Sequence, residues 1–435
     1  MKVAIIGAGM AGIAASDALA ASGYQVEVFE AKPYWGGHTK SIDTGGFVFD
    51  EGPHVSFTKD DKVRNVFTRG AGEVEEFSAR ITNAFHGHWV THPAQCHLYG
   101  LDPSLVTDCI ADFVRAQQNP PEVKTYADWC YAMFGKTFAE NFPFAYTRKY
   151  WTMEAAALST DWVGARMYPP KLEEVIRGAV EAEQQGAFHY LTRFRYPSKG
   201  GYQSFMRAMV RPELLRLNKK VISVDLRKKN LGFADGATCK YDRLISTMAL
   251  PDLIRAVPVE QVPSDVRAAA EQLLCSSLVL VDVAVSRRDL FDHHWFYVYD
   301  KDISFSRAHF PHMLSPHNAP PGQGSIQLEV YHSRHRPPPC EPASLPDRVL
   351  DELIKLKILG NRQEVLWARH REVQYANVIF DHHRASALAA IHPWVKAKDI
   401  ILAGRYGEWG YHWTDDATRA GWAAAAQVEE SDRNR

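Results

Sequence analysis

Gly7-Ala8-Gly9-Met10-Ala11-Gly12 has the G-x-G-x-x-G spacing of a turn that can seat a pyrophosphate. The first glycine permits the tight turn, the second lets phosphate approach the backbone, and the third lets helix and strand pack closely. Glu30 follows at the distance where a carboxylate accepts hydrogen bonds from ribose hydroxyls and repels a 2′-phosphate. The pattern predicts a dinucleotide site suited to FAD or NAD, not NADP. Arg166 and Arg307 each stand beside aromatic residues. Arginine suits planar, bidentate phosphate recognition, so the two together would make a diphosphate clamp. Taken alone, either is as readily a surface or ion-pair residue. His86, His88, His92 and His97 cluster, but no acidic or thiolate partner completes a ligand set, and no metal is expected. Serine-hydrolase chemistry has no G-x-S-x-G elbow, and the glycine loop lacks a Walker lysine.

These residues need elements to hold them. Lys2–Ile6 is a short apolar run rich in β-branched residues and reads as a buried parallel strand. The glycine turn, an alanine-dense helix at 13–21 and a second strand at Gln25–Phe29 complete a βαβ unit. Gly36-Gly37-His38-Thr39 then places a second glycine pair just after the ribose carboxylate, which selects FAD over NAD. Strands are expected at 47–49, 221–226, 233, 241–246 and 400–403. Residues 103–183 are mostly helical in pattern, and a Gly-Gly turn and helix occupy 196–209. Ser277–Val285, 294–299, 304–310 and 325–331 read as an antiparallel sheet. A helix is expected near 347–359 and a last one at 415–428, with a frayed tail at 429–435.

The whole is an α/β protein: a Rossmann-like FAD-binding domain plus a mixed α+β substrate domain built on an antiparallel sheet. The FAD domain is expected to be discontinuous, from 1–80, 190–250 and 365–435, with 81–189 and 251–364 forming the cap. With 435 residues, two interwoven domains are natural. A net charge of -1 gives no field favouring nucleic acid or an anionic membrane. Six scattered cysteines without a CxxC pair suit reduced thiols and a cytoplasmic setting. No apolar run is long enough for a membrane span, and the glycines of the first segment argue against a signal peptide.

Beyond the glycine turns, the chain resembles the amine oxidase and protoporphyrinogen oxidase superfamily, a GR2-type flavoprotein group. Within it the sequence is most similar to the UDP-galactopyranose mutases. Phe49-Asp50-Glu51-Gly52-Pro53-His54 looks like the segment that lays a glycine and a histidine beside the flavin, which implies His54 near N5. The stretches 146–151 and 161–166 resemble the region ending in one diphosphate arginine, here Arg166. The segment around Ser304-Phe305-Ser306-Arg307 resembles the one bearing the second, here Arg307. Val221 matches the valine whose backbone meets adenine. Gly404-Arg405 and Tyr411, followed by Asp415 and Asp416, look like the C-terminal flavin motif. Arg405 is there implied to meet the pyrophosphate, and the last helix start to face the flavin pyrimidine. Two tyrosines of the mutases are replaced, by Asn377 and Leu314.

The resemblance implies a non-covalently bound FAD and a small-molecule substrate, a nucleotide sugar or related phosphorylated sugar handled through flavin N5 chemistry. NAD(P)H is a possible external reductant, and an oligomer is possible. The alternative is an FAD-dependent amine oxidase or dehydrogenase acting on a small metabolite. The lost tyrosines favour that alternative; the paired arginines favour the first.

Overall fold

In the computed structural model the described residues are 1–182, 186, 188 and 191–433. The end of the expected helical stretch at Glu183, the 189/190 domain boundary and the last two tail residues lie outside them. Lys2–Ile6 forms the centre of a five-stranded parallel sheet, in the order Ile400–Leu402, Arg243–Ser246, Lys2–Ile6, Gln25–Phe29, Leu215–Arg216. Val3, Ala4 and Ile5 are fully buried because helices or other layers cover both faces. The helix Met10–Ala21 starts earlier than its alanine run suggests and is buried along most of its length. It lies between that sheet and the last helix, Thr414–Arg433. Small residues permit this: a Cβ on Gly421 would stand 2.2 Å from the Ala11 carbonyl oxygen.

The second sheet has seven strands. Its order is Val365–Val373, Ser277–Val285, Gly324–His332, Arg307–His309, Trp295–Val298, Ile81–Phe85, His88–Thr91. All neighbours are antiparallel except Trp295–Val298 with Ile81–Phe85. Val279, Val281, Val283 and Val285 form one apolar face with Leu328, Val330 and Leu353. On the other face Asp282 is fully buried and pairs with Arg371 at 2.9 Å and Arg369 at 3.2 Å. Gln327 Nε2 donates both to Asp282 and to the Asp50 carbonyl, and Arg371 donates to that same carbonyl. This polar seam ties the second sheet to the hairpin Ser41–Thr44/Phe47–Asp50, which leads into His54.

Several expectations are corrected. The run at 304–310 is a strand only at Arg307–His309, because Pro311 opens a short helix and ends the pairing. Residues 365–373, expected with the nucleotide domain, are hydrogen-bonded along Ser277–Val285 and so belong to the second sheet. The hairpin Ile81–Phe85/His88–Thr91 was not foreseen; His86 and Gly87 form its turn with φ of 48° and 81°. The tail is not frayed over 429–433, where the helix continues. Ser22 donates to Glu429 at 2.7 Å and Tyr24 to Asp432 at 3.3 Å. No helix among the described residues is long and apolar enough to cross a membrane.

Candidate cofactor and substrate cavity

One cavity of about 710 Å³ runs from the glycine turns to the aromatic face of the second sheet. The three glycines of the first turn do different work. Gly7 has φ +99°, and a Cβ there would meet Thr247 Oγ1 at 2.2 Å. Gly12 packs beneath the turn, where a Cβ would stand 2.0 Å from the Gly7 carbonyl oxygen. Gly9 is extended, and its Cβ would meet nothing nearer than Gly37 Cα at 3.9 Å. The space beside Gly9 is therefore open at the N-terminus of Met10–Ala21, where unpaired amides favour an anion.

The second glycine pair closes over this turn. Gly36 and Gly37 have φ of 115° and 55°, and the Gly36 amide donates to the Ala8 carbonyl at 2.9 Å. Thr39 is buried and donates to the Gly36 carbonyl at 2.8 Å, so it shapes the loop. Glu30 accepts from the Ala8 amide and the Lys32 amide, each at 2.9 Å, which fixes its carboxylate at the cavity wall with lone pairs left for ribose hydroxyls. Val221, Lys219 and Lys220 line the same end. These residues fit a dinucleotide.

Toward the other end, His38 meets Glu51 at 2.8 Å. His54 Nδ1 lies 2.9 Å from the Gly52 carbonyl, which can only accept, so Nδ1 carries the proton and Nε2 is free to accept. Burial pushes the His54 pKa down to about 4, so the ring is neutral at ordinary pH. Arg405, after Gly404, donates to the His412 carbonyl at 3.0 Å and the Ala376 carbonyl at 3.4 Å. Its guanidinium is 5.2 Å from the Tyr411 ring. The helix Thr414–Arg433 begins here, with Thr414 and Asp415 at the cavity. Its positive end faces the cavity and suits negative charge on a ligand. Asp416 is not among the lining residues: it accepts from the Trp413 amide at 2.9 Å and pairs with Arg419 at 2.6 Å. It caps the helix.

A family model for flavin containing amine oxidoreductases matches residues 10–429 of the chain. The chain belongs to this family. Among solved structures, this flavin containing amine oxidoreductase superposes on a reduced UDP-galactopyranose mutase with a TM-score of 0.93 and 25% identity, over 99% of this chain and 94% of the other. It also matches a putrescine oxidase bound to putrescine, with a TM-score of 0.66 and 15% identity over 99% of each, a likeness of fold alone. A probable UDP-galactopyranose mutase of Klebsiella pneumoniae is 27% identical over 166 residues, 36% of this chain and 42% of that protein. A 4,4'-diapophytoene desaturase of Staphylococcus aureus is 36% identical over 77 residues, 18% of this chain and 15% of the relative. The matched segments thus span less than half of either curated relative.

Both arginines expected in the clamp line the cavity of this flavin containing amine oxidoreductase, but they are not equivalent. Arg166 donates to the carbonyls of Trp162 at 2.9 Å and Tyr411 at 3.0 Å, and stacks 4.3 Å from the Tyr411 ring and 4.6 Å from Trp413. Arg307 is held by a bidentate pair to Glu329, at 2.5 and 2.9 Å, with Tyr331 donating to the same carboxylate at 2.9 Å. Strand register sets this pair directly opposite. Tyr411 stands 3.1 Å from the Tyr150 hydroxyl, and Asn377 and Leu314 both line the cavity. Sequence reading missed Glu329, Tyr331, Tyr150 and Glu51. The available signal was a charged residue inside the otherwise uncharged strand Gly324–His332, since Glu is buried almost only when paired.

Burial has a measurable consequence here. It lowers the pKa of His54, His294 and His312 to about 4, and that of His309 well below the usual value. Unfolded, each titrates near 6.5. Between these values the unfolded chain binds protons that the folded one refuses, so stability present above 6.5 is lost as pH falls toward 4. Asp50, raised from 3.8 to about 6 by burial, acts in the opposite sense, stabilising as pH falls through that window. The histidines outnumber it. Calorimetric melting temperatures of the apoprotein are expected to fall steadily over that acid range; a flat or rising profile contradicts this reading.

Proposed function

We propose that the protein binds FAD non-covalently and acts on a nucleotide sugar, or a related phosphorylated sugar-like molecule, in the manner of UDP-galactopyranose mutase. The observation that carries this reading is Arg166. Its guanidinium stands at the cavity wall, with Nη1 and Nη2 held by backbone carbonyls and its plane against aromatic faces, and no carboxylate pairs with it among the described residues. A partly buried charge without a counter-ion is costly, and a ligand phosphate supplies the counter-ion. FAD, when bound, supplies an electron-rich or electron-accepting ring. The chain's own part is orientation: Tyr150 and Tyr411 present phenols 3.1 Å apart beside Arg166, and Tyr146, Trp151 and Tyr299 wall out water. The residues fit stabilisation of charge on a departing diphosphate.

A redox reading has an observation of its own. Glu329 neutralises Arg307, and Asn377 and Leu314 stand where the mutases are expected to place tyrosines, which supports an FAD-dependent oxidoreductase acting on a small metabolite. The two separate in a pair of assays. Anaerobically reduced holoenzyme, with NAD(P)H tried as reductant, is given UDP-galactopyranose, and ring-size conversion without net oxidation supports the mutase reading. Oxidised holoenzyme is given an amine or a sugar alcohol, and flavin reduction, with peroxide formed in air, supports the other. Under the first, Arg166→Ala lowers kcat/KM about 10- to 100-fold, the weight of a hydrogen bond to a charged group. Unchanged kcat/KM removes Arg166 from the substrate site.

A further inference from the structure

The segment Glu51-Gly52-Pro53-His54-Val55 walls the cavity, and its place is set from its two ends. At one end the Glu51 amide donates to the Lys40 carbonyl at 2.9 Å. At the other, Ser56 and Arg195 exchange two backbone hydrogen bonds, at 2.9 and 2.7 Å. Between these anchors residues 52–55 make no backbone–backbone hydrogen bond among the described residues. The residue that leads into the segment, Asp50, is buried and is held twice. Its carboxylate accepts from the Tyr196 hydroxyl at 2.7 Å, the Tyr202 amide at 3.0 Å and Ser41 Oγ at 2.5 Å. Its carbonyl accepts from Gln327 Nε2 and Arg371 Nη2, each at 2.9 Å. Both of those donors are fixed in turn by the buried Asp282. Strand register puts Gln327 opposite Asp282 on one side and Arg369 opposite it on the other, with Arg371 two residues further along the same face. The two arginines then differ. Arg371 Nη2 spans Asp282 Oδ1 at 3.2 Å and the Asp50 carbonyl, while its Nε holds Oδ2 at 2.9 Å. Arg369 Nε reaches the same Oδ2 at 3.2 Å, but its Nη1 turns away to Thr44 Oγ1 at 2.6 Å. Neither arginine lines the cavity.

We propose that Arg371 is a remote positioning residue: by clamping the Asp50 carbonyl to Asp282 it fixes the Glu51–His54 wall of the cavity against the cofactor, a task that Arg369, on the same strand and the same carboxylate, does not share. The fork of a guanidinium suits this, because it meets two acceptors at fixed angles. Losing it frees the one end of the segment that the second sheet holds. The Gly52 carbonyl, which keeps the proton on His54 Nδ1, lies two residues beyond the clamp and moves with it. That the wall meets a flavin rests on the reading above; the clamp itself does not.

The test compares Arg371→Gln with Arg369→Gln. Each removes one partner of Asp282, so both lower the melting temperature, and a merely structural role moves nothing else. Hydrogen exchange of the full chain without added FAD is read by mass spectrometry on peptides covering 51–55. FAD affinity and the visible spectrum of the bound flavin are read on the loaded protein. We expect exchange at 51–55 to quicken about fivefold in Arg371→Gln, the weight of one hydrogen bond, and to keep the wild-type rate in Arg369→Gln. FAD affinity falls about 2- to 30-fold, with a shifted flavin band, in Arg371→Gln alone. Should Arg371→Gln fail to fold, Arg371→Lys carries the comparison, since an ammonium keeps the charge beside Asp282 but cannot copy the fork. Equal changes in the two positions, or wild-type exchange at 51–55 in the Arg371 variant, overturn the proposal. Faster exchange with flavin affinity and spectrum unchanged overturns it as well. Faster exchange in the Arg371 variant alone, in a protein whose wild type takes up no FAD, upholds the clamp and removes the flavin reading.

Discussion

Gly9→Ala is expected to strip the flavin from a protein that still folds, whereas Gly12→Ala damages the fold itself. Gly9 has an extended backbone that alanine adopts freely, and its new methyl meets no protein atom closer than 3.9 Å. That methyl enters the space at the helix N-terminus where a pyrophosphate would approach the backbone. A forced contact of this kind costs about 1–3 kcal/mol, which is roughly 5- to 150-fold in cofactor affinity. Gly12 is the reverse case. Its methyl would overlap the Gly7 carbonyl oxygen at 2.0 Å, and a backbone oxygen in a tight turn cannot swing aside. Melting of the two apoproteins and flavin titration of each separate the effects. Equal loss of apoprotein stability in both variants contradicts the assignment of Gly9 to the ligand.

Glu329→Gln is expected to weaken the fold and to strengthen anion binding. Glu329 is 2% exposed and holds Arg307 through two hydrogen bonds. Removing one charge of a buried pair leaves the other uncompensated, at a cost of about 3–5 kcal/mol. Glutamine keeps the shape and still accepts from Tyr331, and water in the cavity relieves part of the penalty, so the low end of that range applies. The freed guanidinium then attracts a ligand anion, and pyrophosphate should bind about tenfold more tightly. Denaturant midpoints and calorimetric titration measure the two effects. Unchanged stability together with weaker pyrophosphate binding contradicts the reading that Glu329 neutralises Arg307.

The nucleotide end of the cavity was legible because its signals are local. The G-x-G-x-x-G turn, the alanine helix and Glu30 sit within one βαβ unit, and each residue's job follows from backbone geometry at that position. The second sheet was legible in part. Ser277–Val285 is a long, mostly apolar run and Gly324–His332 alternates polar with apolar residues, whereas Val365–Val373 carries Arg369, His370 and Arg371 and does not look like a strand. Those arginines are there for Asp282, a partner far away in sequence. The same limit explains the site. Arg307 stood out as a phosphate ligand, but Glu329 opposite it depends on strand register, which no local pattern reveals. Asp416 looked equal to Asp415, and both pair with Arg419, yet one residue of helical rotation takes Asp416 off the cavity wall to a capping bond with the Trp413 amide. The tail read as frayed because its residues are polar; Ser22 and Tyr24, which hold it, come from the other end of the chain.

The most direct test of the whole picture is the flavin content of the purified chain. Protein is precipitated by heat and the released cofactor is identified and counted. The account predicts FAD, about one per chain, freed without proteolysis and restored by adding FAD to the apoprotein. A colourless protein that takes up no FAD on incubation would contradict it.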